Sequence, residues 1–177
     1  MDAERLGSER VYDGKVISVD LDRVRLPNGR EASLEIVRHP GASAIVPLLD
    51  DGRVVLIRQY RWAAEGYVLE APAGKLDPGE PPEVCAVREL EEETGYRAGS
   101  IEKLGSIWTT PGFTDEVIHL YLARNLEEGS QNLDHDEILE THPLTWDEVE
   151  RGIAEGRIRD AKTLCALYRA RDHLRSR

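Results

Sequence analysis

Residues 74–96 read GKLDPGEPPEVCAVRELEEETGY, and no other stretch constrains the chain as strongly. A turn rich in glycine and proline runs into a helical pattern. Pro81 and Pro82 suit a first turn, and Gly95 suits the position just past the C-terminal end. The last two turns crowd Glu89, Glu91, Glu92 and Glu93. Carboxylates three or four positions apart on a helix repel by roughly 0.2–0.5 kcal/mol per pair, and near the C-terminus they also oppose the negative pole of the dipole. At about 100° per residue, Glu89 and Glu93 lie ~40° apart, with Glu92 ~60° to the other side of Glu89. Three carboxylates therefore share a face, and a cation would relieve both penalties. Hard oxygen donors in this arrangement suit Mg²⁺, with Mn²⁺ as the alternative. A solvated acidic helix face is the competing reading from charge alone. Val84, Val87 and Leu90 are the expected core-facing side of the helix.

The chain has 177 residues, one domain's length, and a net charge of −11. Nonspecific nucleic-acid binding has no electrostatic support at that charge, and an acidic protein acting on an acidic substrate must bring a cation to the contact. Cys85 and Cys165 are the only cysteines and show neither metal nor redox spacing. The opening MDAERLGSER is unlike a signal peptide, and no stretch is apolar for long enough to span a bilayer. A reducing, cytoplasmic location is the default, with no membrane partner.

Two alternating segments, 16–26 and 31–37, flank Pro27-Asn28-Gly29 and predict a hairpin. Segments 44–49 and 54–60 around Asp50-Asp51-Gly52 predict a second one. Strands near 101–109 and 116–123 follow the acidic helix, then a polar loop, and helices near 146–155 and 160–175.

The positions Gly74, Glu80, Arg88, Glu89, Leu90, Glu92, Glu93, Gly95 and Tyr96 resemble a complete Nudix box, G-x5-E-x7-R-E-U-x-E-E-x-G-U with U bulky and apolar; the aromatic Tyr96 is the one mild departure. The resemblance implies an α/β Nudix fold, an α/β/α sandwich with a mixed sheet, over residues 41–177. Residues 1–40 look like the N-terminal antiparallel β-subdomain of the ADP-ribose pyrophosphatase group, which mediates dimerisation and helps close the nucleotide site. Pro111, fifteen residues after Tyr96, resembles that group's marker proline. Arg58-Gln59-Tyr60-Arg61 is similar to its phosphate-contacting segment, where a planar arginine fork suits phosphate oxygens; a surface ion pair is the alternative for either arginine. Arg38, Tyr60, Arg61, Phe113 and Glu116 are the expected substrate-binding residues, and Trp62 is eligible to grip the base.

The same resemblance implies Mg²⁺-dependent hydrolysis of ADP-ribose or a related nucleoside diphosphate sugar, with AMP and ribose 5-phosphate released from ADP-ribose. Glu89 and Glu93 are the expected primary metal ligands, Glu92 a ligand to a second ion, and the Ala73 carbonyl a backbone ligand that Gly74 lets approach. Arg88 is expected to orient the glutamates through its i,i+4 contact with Glu92, and Glu80 to be structural. In the ADP-ribose group a loop glutamate is the general base; here Glu137 is the first candidate within 134–140, and His135 competes with it. GDP-mannose or another sugar nucleotide is the rival substrate. A non-catalytic ADP-ribose sensor is the rival from another class, opposed by the intact box carboxylates. RNA decapping is disfavoured by the net charge.

Overall fold

The computed structural model describes residues 2–133, 135 and 137–176. The chain divides into two compact units, one holding the chain up to Gly41 together with Trp108–Val117, the other holding Ala42–Ile107 and the chain from Ile118 onward.

The first unit is an antiparallel sheet of β1 (Glu4–Asp13), β2 (Ser18–Arg25) and β3 (Glu31–Arg38), in that order. The expected hairpin joins β2 to β3, with Gly29 at φ 81° and its N–H donating to the Leu26 carbonyl. Strand β1 was not expected, because it lacks apolar alternation. Polar cross-strand pairs set its register instead: Ser8 stands opposite Asp22 and Arg10 opposite Asp20, and each pair is hydrogen-bonded through side chains. Backbone bonds between Val37 and both Phe113 and Asp115 hook the 110–115 loop onto β3.

The second unit contains β4 (Ala42–Pro47), β5 (Val54–Arg61), a 3₁₀ turn (Trp62–Ala64), β6 (Gly66–Glu70) and β7 (Ala73–Lys75). Then come α1 (Pro82–Thr94), β8 (Tyr96–Trp108), β9 (Val117–Glu128), β10 (Leu139–Leu144), α2 (Trp146–Ala154) and α3 (Ala161–Arg175). One sheet has the order β7-β4-β9-β8 and is mixed, since β4 runs antiparallel to β7 and parallel to β9; the other has the order β10-β5-β6. Alternation along β4 builds the layers. Ala44 and Val46 cluster with Ala166, Leu167 and Ala170 of α3, whereas Ile45 clusters with Ala86 and Leu90 of α1. A helix thus covers each face of this sheet, the expected α/β/α sandwich.

Two expectations fail here. The turn at Asp50-Asp51-Gly52 forms, but 44–49 and 54–60 do not make a hairpin: β4 and β5 enter different sheets, joined by a single bridge between Leu48 and Val54. Every residue of β4 is buried, as are Val54 to Ile57 of β5. Central strands need hydrogen-bonding neighbours on both edges, and β4 finds β7 and β9 while β5 finds β10 and β6. The inner face of α1 also differs. Val84 and Val87 are 51% and 37% exposed, while Cys85, Ala86, Leu90, Glu93 and Thr94 are buried. The helix turns its small residues and its acids inward, because Glu89 and Glu93 meet backbone there instead of water.

Candidate active site on the acidic helix

Strand β7 lays Ala73 and Gly74 beside β4, with Ala73 opposite Ala44 and Gly74 opposite Ser43. The Ser43 hydroxyl donates to the Pro82 carbonyl at 2.7 Å, fixing the start of α1. A Cβ on Gly74 would stand 1.8 Å from Glu89 Oε1 and 2.1 Å from its carboxyl carbon, so only glycine admits that carboxylate. The Ala73 N–H donates to Glu93 Oε2 at 2.9 Å. Glu93 is 1% exposed; burial, and next the charge of Glu89, push its carboxyl well above the usual range. Glu89 is raised as well, chiefly by burial, with Arg88 opposing.

Arg88 organises the remaining acids. Its Nε and Nη2 donate to Glu80 at 2.9 and 3.0 Å, and its Nη1 donates to Glu89 at 2.6 Å and to Glu92 at 3.0 Å. The Arg88 guanidinium, helped by the Asp77 N–H, holds the Glu80 carboxyl down at about 2. One guanidinium is thus set against Glu80, Glu89 and Glu92, with buried Glu93 beside them. Among the described residues no three His, Cys, Asp or Glu side chains already converge as a cation cage, because Arg88 draws Glu89 and Glu92 to itself. The polar loop after β9 caps the helix, a role not expected from sequence: the Asn132 N–H donates to the Glu92 carbonyl at 3.0 Å and the Gln131 amide to the Glu93 carbonyl at 2.6 Å. These bonds satisfy carbonyls that a helix end leaves open.

Residues 37–167 match the NUDIX domain, and residues 4–37 match the nucleoside diphosphate sugar hydrolase N-terminal domain. The chain belongs to the Nudix family. It is 46% identical over 162 residues to a methanol dehydrogenase activator of Bacillus methanolicus, covering 90% of this chain and 88% of that protein. It is 40% identical over 169 residues to an ADP-ribose pyrophosphatase of Bacillus subtilis (strain 168), covering 94% of this chain and 91% of that protein. A crystal structure of an ADP compounds hydrolase superposes with a TM-score of 0.87 at 25% identity, covering 99% of this chain and 96% of that one.

The Nudix box residues Gly74, Glu80, Arg88, Glu89, Glu92 and Glu93 therefore come together around β7 and α1, and Gly95 ends the helix at φ 75°. Glu137 is partly buried, and its charge raises the carboxyls of both Glu89 and Glu93. His135 is exposed. Asp134 and Asp136 of the same expected segment lie outside the described residues. Arg61 holds Glu70 by two bonds of 2.9 Å through Nε and Nη2, and it also feels the charge of Glu93. Tyr60 is 38% exposed and meets Tyr67 edge-on with centroids 5.5 Å apart, while Trp62 is 83% exposed.

In the first unit Arg38 reaches Asp20, Asp22 and Asp115, Glu116 accepts from the Thr109 hydroxyl at 2.8 Å, and Phe113 is 52% exposed. Sequence reading missed Glu70, Asp160, Lys162 and Thr163. Lys162 joins Glu70 and Asp160, and the Thr163 hydroxyl takes the Ala71 N–H at 2.8 Å, fixing the entry to β7. Asp160 caps α3 by accepting from the Thr163 N–H at 2.9 Å, which its place before a helical run could have signalled. The partners across some ninety positions carry no local signal.

Proposed function

We propose that this Nudix hydrolase cleaves the pyrophosphate bond of ADP-ribose or a closely related nucleoside diphosphate sugar with Mg²⁺, releasing AMP and ribose 5-phosphate from ADP-ribose. The observation that carries the reading is the near end-to-end likeness to an ADP-ribose pyrophosphatase. It spans both the N-terminal sheet and the acidic helix, and the carboxylates of that helix are intact.

Glu89, Glu92, Glu93 and the Ala73 carbonyl would hold the metal. The fit rests on the cradle that a Cβ at Gly74 would fill and on three carboxylates facing one guanidinium, with buried Glu93 beside them. A divalent cation held there would supply charge neutralisation at the pyrophosphate oxygens and a better water nucleophile near neutral pH. Arg88 orients Glu89 and Glu92, and Glu80 anchors Arg88. Glu137 takes the proton of the attacking water at its carboxylate; its influence on Glu89 and Glu93 favours it over His135. The bonds from Arg61 to Glu70 use Nε and Nη2, so Nη1 remains for a phosphate oxygen. Tyr60 and Phe113 offer exposed rings to the base or ribose. Arg38 and Glu116 are committed to protein partners and would shape the nucleotide site through them.

The unit assignment follows the same proposal, with 1–40 serving dimerisation and the nucleotide site and 41–177 the hydrolase domain. Exposed Val11, Tyr12 and Leu34 on the small sheet, with exposed Val16 and Ile17 in the loop between β1 and β2, favour pairing with a second copy. Two free cysteines fit a cytoplasmic setting, and no helix among the described residues is long and apolar enough to cross a membrane.

The deciding assay offers ADP-ribose, GDP-mannose, UDP-glucose, NADH and a nucleoside triphosphate with Mg²⁺, and identifies products by chromatography. Preferential AMP release from ADP-ribose, lost in Glu93→Gln, is expected. Preference for GDP-mannose would keep the chemistry and replace the substrate; tight ADP-ribose binding without turnover would make the chain a sensor.

A further inference from the structure

The segment that carries Glu137 is tied down at two points, both within the second unit. Its near end is fixed on α1. The Asn132 N–H donates to the Glu92 carbonyl at 3.0 Å, the Gln131 side-chain amide to the Glu93 carbonyl at 2.6 Å, and the Gly129 N–H to the Gly95 carbonyl at 2.6 Å. The approach is close: a Cβ on Gly129 would stand 2.8 Å from the Gly95 carbonyl oxygen, and one on Gly95 would stand 3.0 Å from the Gln131 backbone nitrogen. Its far end is fixed on β5, where the Tyr60 N–H donates to the Ile138 carbonyl at 3.0 Å and Leu139 stands opposite Gln59. Only residues 133–137 lie between the two ties, a stretch that bridges at most roughly 20 Å. Without the near tie the free stretch would begin where β9 ends, at Glu128, and run over 129–137. A longer tether costs more entropy to close and holds its cargo at lower effective concentration.

The carbonyls gripped at the near tie belong to Glu92 and Glu93, the residues whose carboxylates are assigned to the metal. We propose that Gln131 is a positioning residue for hydrolysis: its grip on the Glu93 carbonyl sets residues 133–137 in register with the metal carboxylates and so places the Glu137 carboxylate at the attacking water. This rests on the reading of the chain as a pyrophosphohydrolase with Glu137 as its base. A neutral amide suits the end of α1, because it donates to a carbonyl at the negative pole and brings no charge to compete with the cation for the neighbouring glutamates. Gln131 is itself exposed, so shortening it opens no cavity in the core.

The test compares the intact protein as wild type, Gln131→Ala and Gln131→Glu, the last keeping the side chain's length while replacing a donor by an acceptor. Hydrogen exchange without substrate should run about tenfold faster at the amides of 129–133 in both variants, the loss of one hydrogen bond, with α1 still protected. Mn²⁺ affinity should stay unchanged, while kcat for ADP-ribose falls on the order of tenfold at constant KM. That fall should disappear in the Glu137→Gln background, because a base already removed cannot be misplaced. Unchanged exchange would show that there is no tie. Mn²⁺ binding that weakens along with kcat, or an undiminished fall in the Glu137→Gln background, would show that the tie serves the metal or the fold and not the base; each of these results overturns the proposal. Failure of the underlying reading is distinguishable. No ADP-ribose turnover by wild type, or full turnover by Glu137→Gln, discards the functional reading and the positioning role together, whereas turnover lost in Glu137→Gln with any of the contrary results discards the positioning role alone.

Discussion

Two arginines in this chain each grip three carboxylates, and their surroundings differ in kind. In the first unit Arg38 holds Asp20, Asp22 and Asp115, and Arg10 and Arg5 add further positive charge at Asp20 and Asp22. Three cations meet these three anions there, and Asp13 also pairs with Arg10. Asp20, through Arg10 and then Arg38, and Asp22, through the Ser8 hydroxyl and Arg38, both have carboxyls held below the usual range. In the second unit Arg88 alone faces Glu80, Glu89 and Glu92, with Glu93 buried close by. The Glu80 carboxyl is lowered, while those of Glu89 and Glu93 are raised. The first cluster is close to charge balance and fastens a small sheet. The second is short of positive charge, the condition in which a divalent cation gains most.

The largest effect that would sharpen this contrast is expected from Glu93→Gln. Losing a metal ligand costs several kcal/mol of transition-state stabilisation, on the order of 10³-fold in kcat. The metal-free variant should melt no lower than wild type, because a desolvated carboxylate has become neutral; steady-state kinetics and thermal melts check the two halves. Next comes Gly74→Ala, whose Cβ would collide with the Glu89 carboxylate. Displacing that group should cost on the order of 100-fold in kcat and roughly 1–3 kcal/mol of stability. Arg38→Ala acts on the other cluster: leaving Asp20 and Asp22 short of a partner should lower Tm on the order of 10 °C without weakening Mn²⁺ binding. If Mn²⁺ affinity fell with it, the two clusters would not be independent.

The smallest effect is at acid pH. Glu80 has a folded pKa of about 2, below its unfolded value of about 4.3. A depressed carboxyl stabilises fully above the unfolded pKa and loses that contribution as pH falls through the folded one. Unfolding free energy should therefore decline from about pH 4.3 toward 2, and Glu80→Gln should make that decline shallower. An unchanged slope would remove Glu80 from the accounting.

What was legible in the sequence follows from how local each signal is. The β2–β3 hairpin, α1 with its Gly95 stop, and helices α2 and α3 are written in turn residues, caps and periodicity over a few positions. Strand β1 was hidden because Ser8 and Arg10 pair with Asp22 and Asp20 across the sheet, leaving no apolar alternation to read. The Asp50-Gly52 turn looked like a hairpin tip because turn chemistry does not reveal which sheet each strand will join. Val84 and Val87 were assigned inward on hydrophobicity, whereas the helix buries Glu93 and lays Glu89 against Gly74, a choice that local hydrophobicity opposes. The carboxylates, Arg88 and Gly74 were readable from their spacing. Glu70, Lys162 and the capping by Gln131 and Asn132 were not, since each acts on a residue distant in sequence.

The most direct test titrates Mn²⁺ into the protein and follows the free ion by electron paramagnetic resonance, comparing wild type, the double variant Glu89→Gln with Glu93→Gln, and the double variant Asp20→Asn with Asp22→Asn. Binding should vanish in the glutamate variant and persist unchanged in the aspartate variant, because only the glutamate cluster lacks compensating charge. Full Mn²⁺ binding by the glutamate variant would contradict the account, since the acidic helix would then be a charged surface and not a metal site.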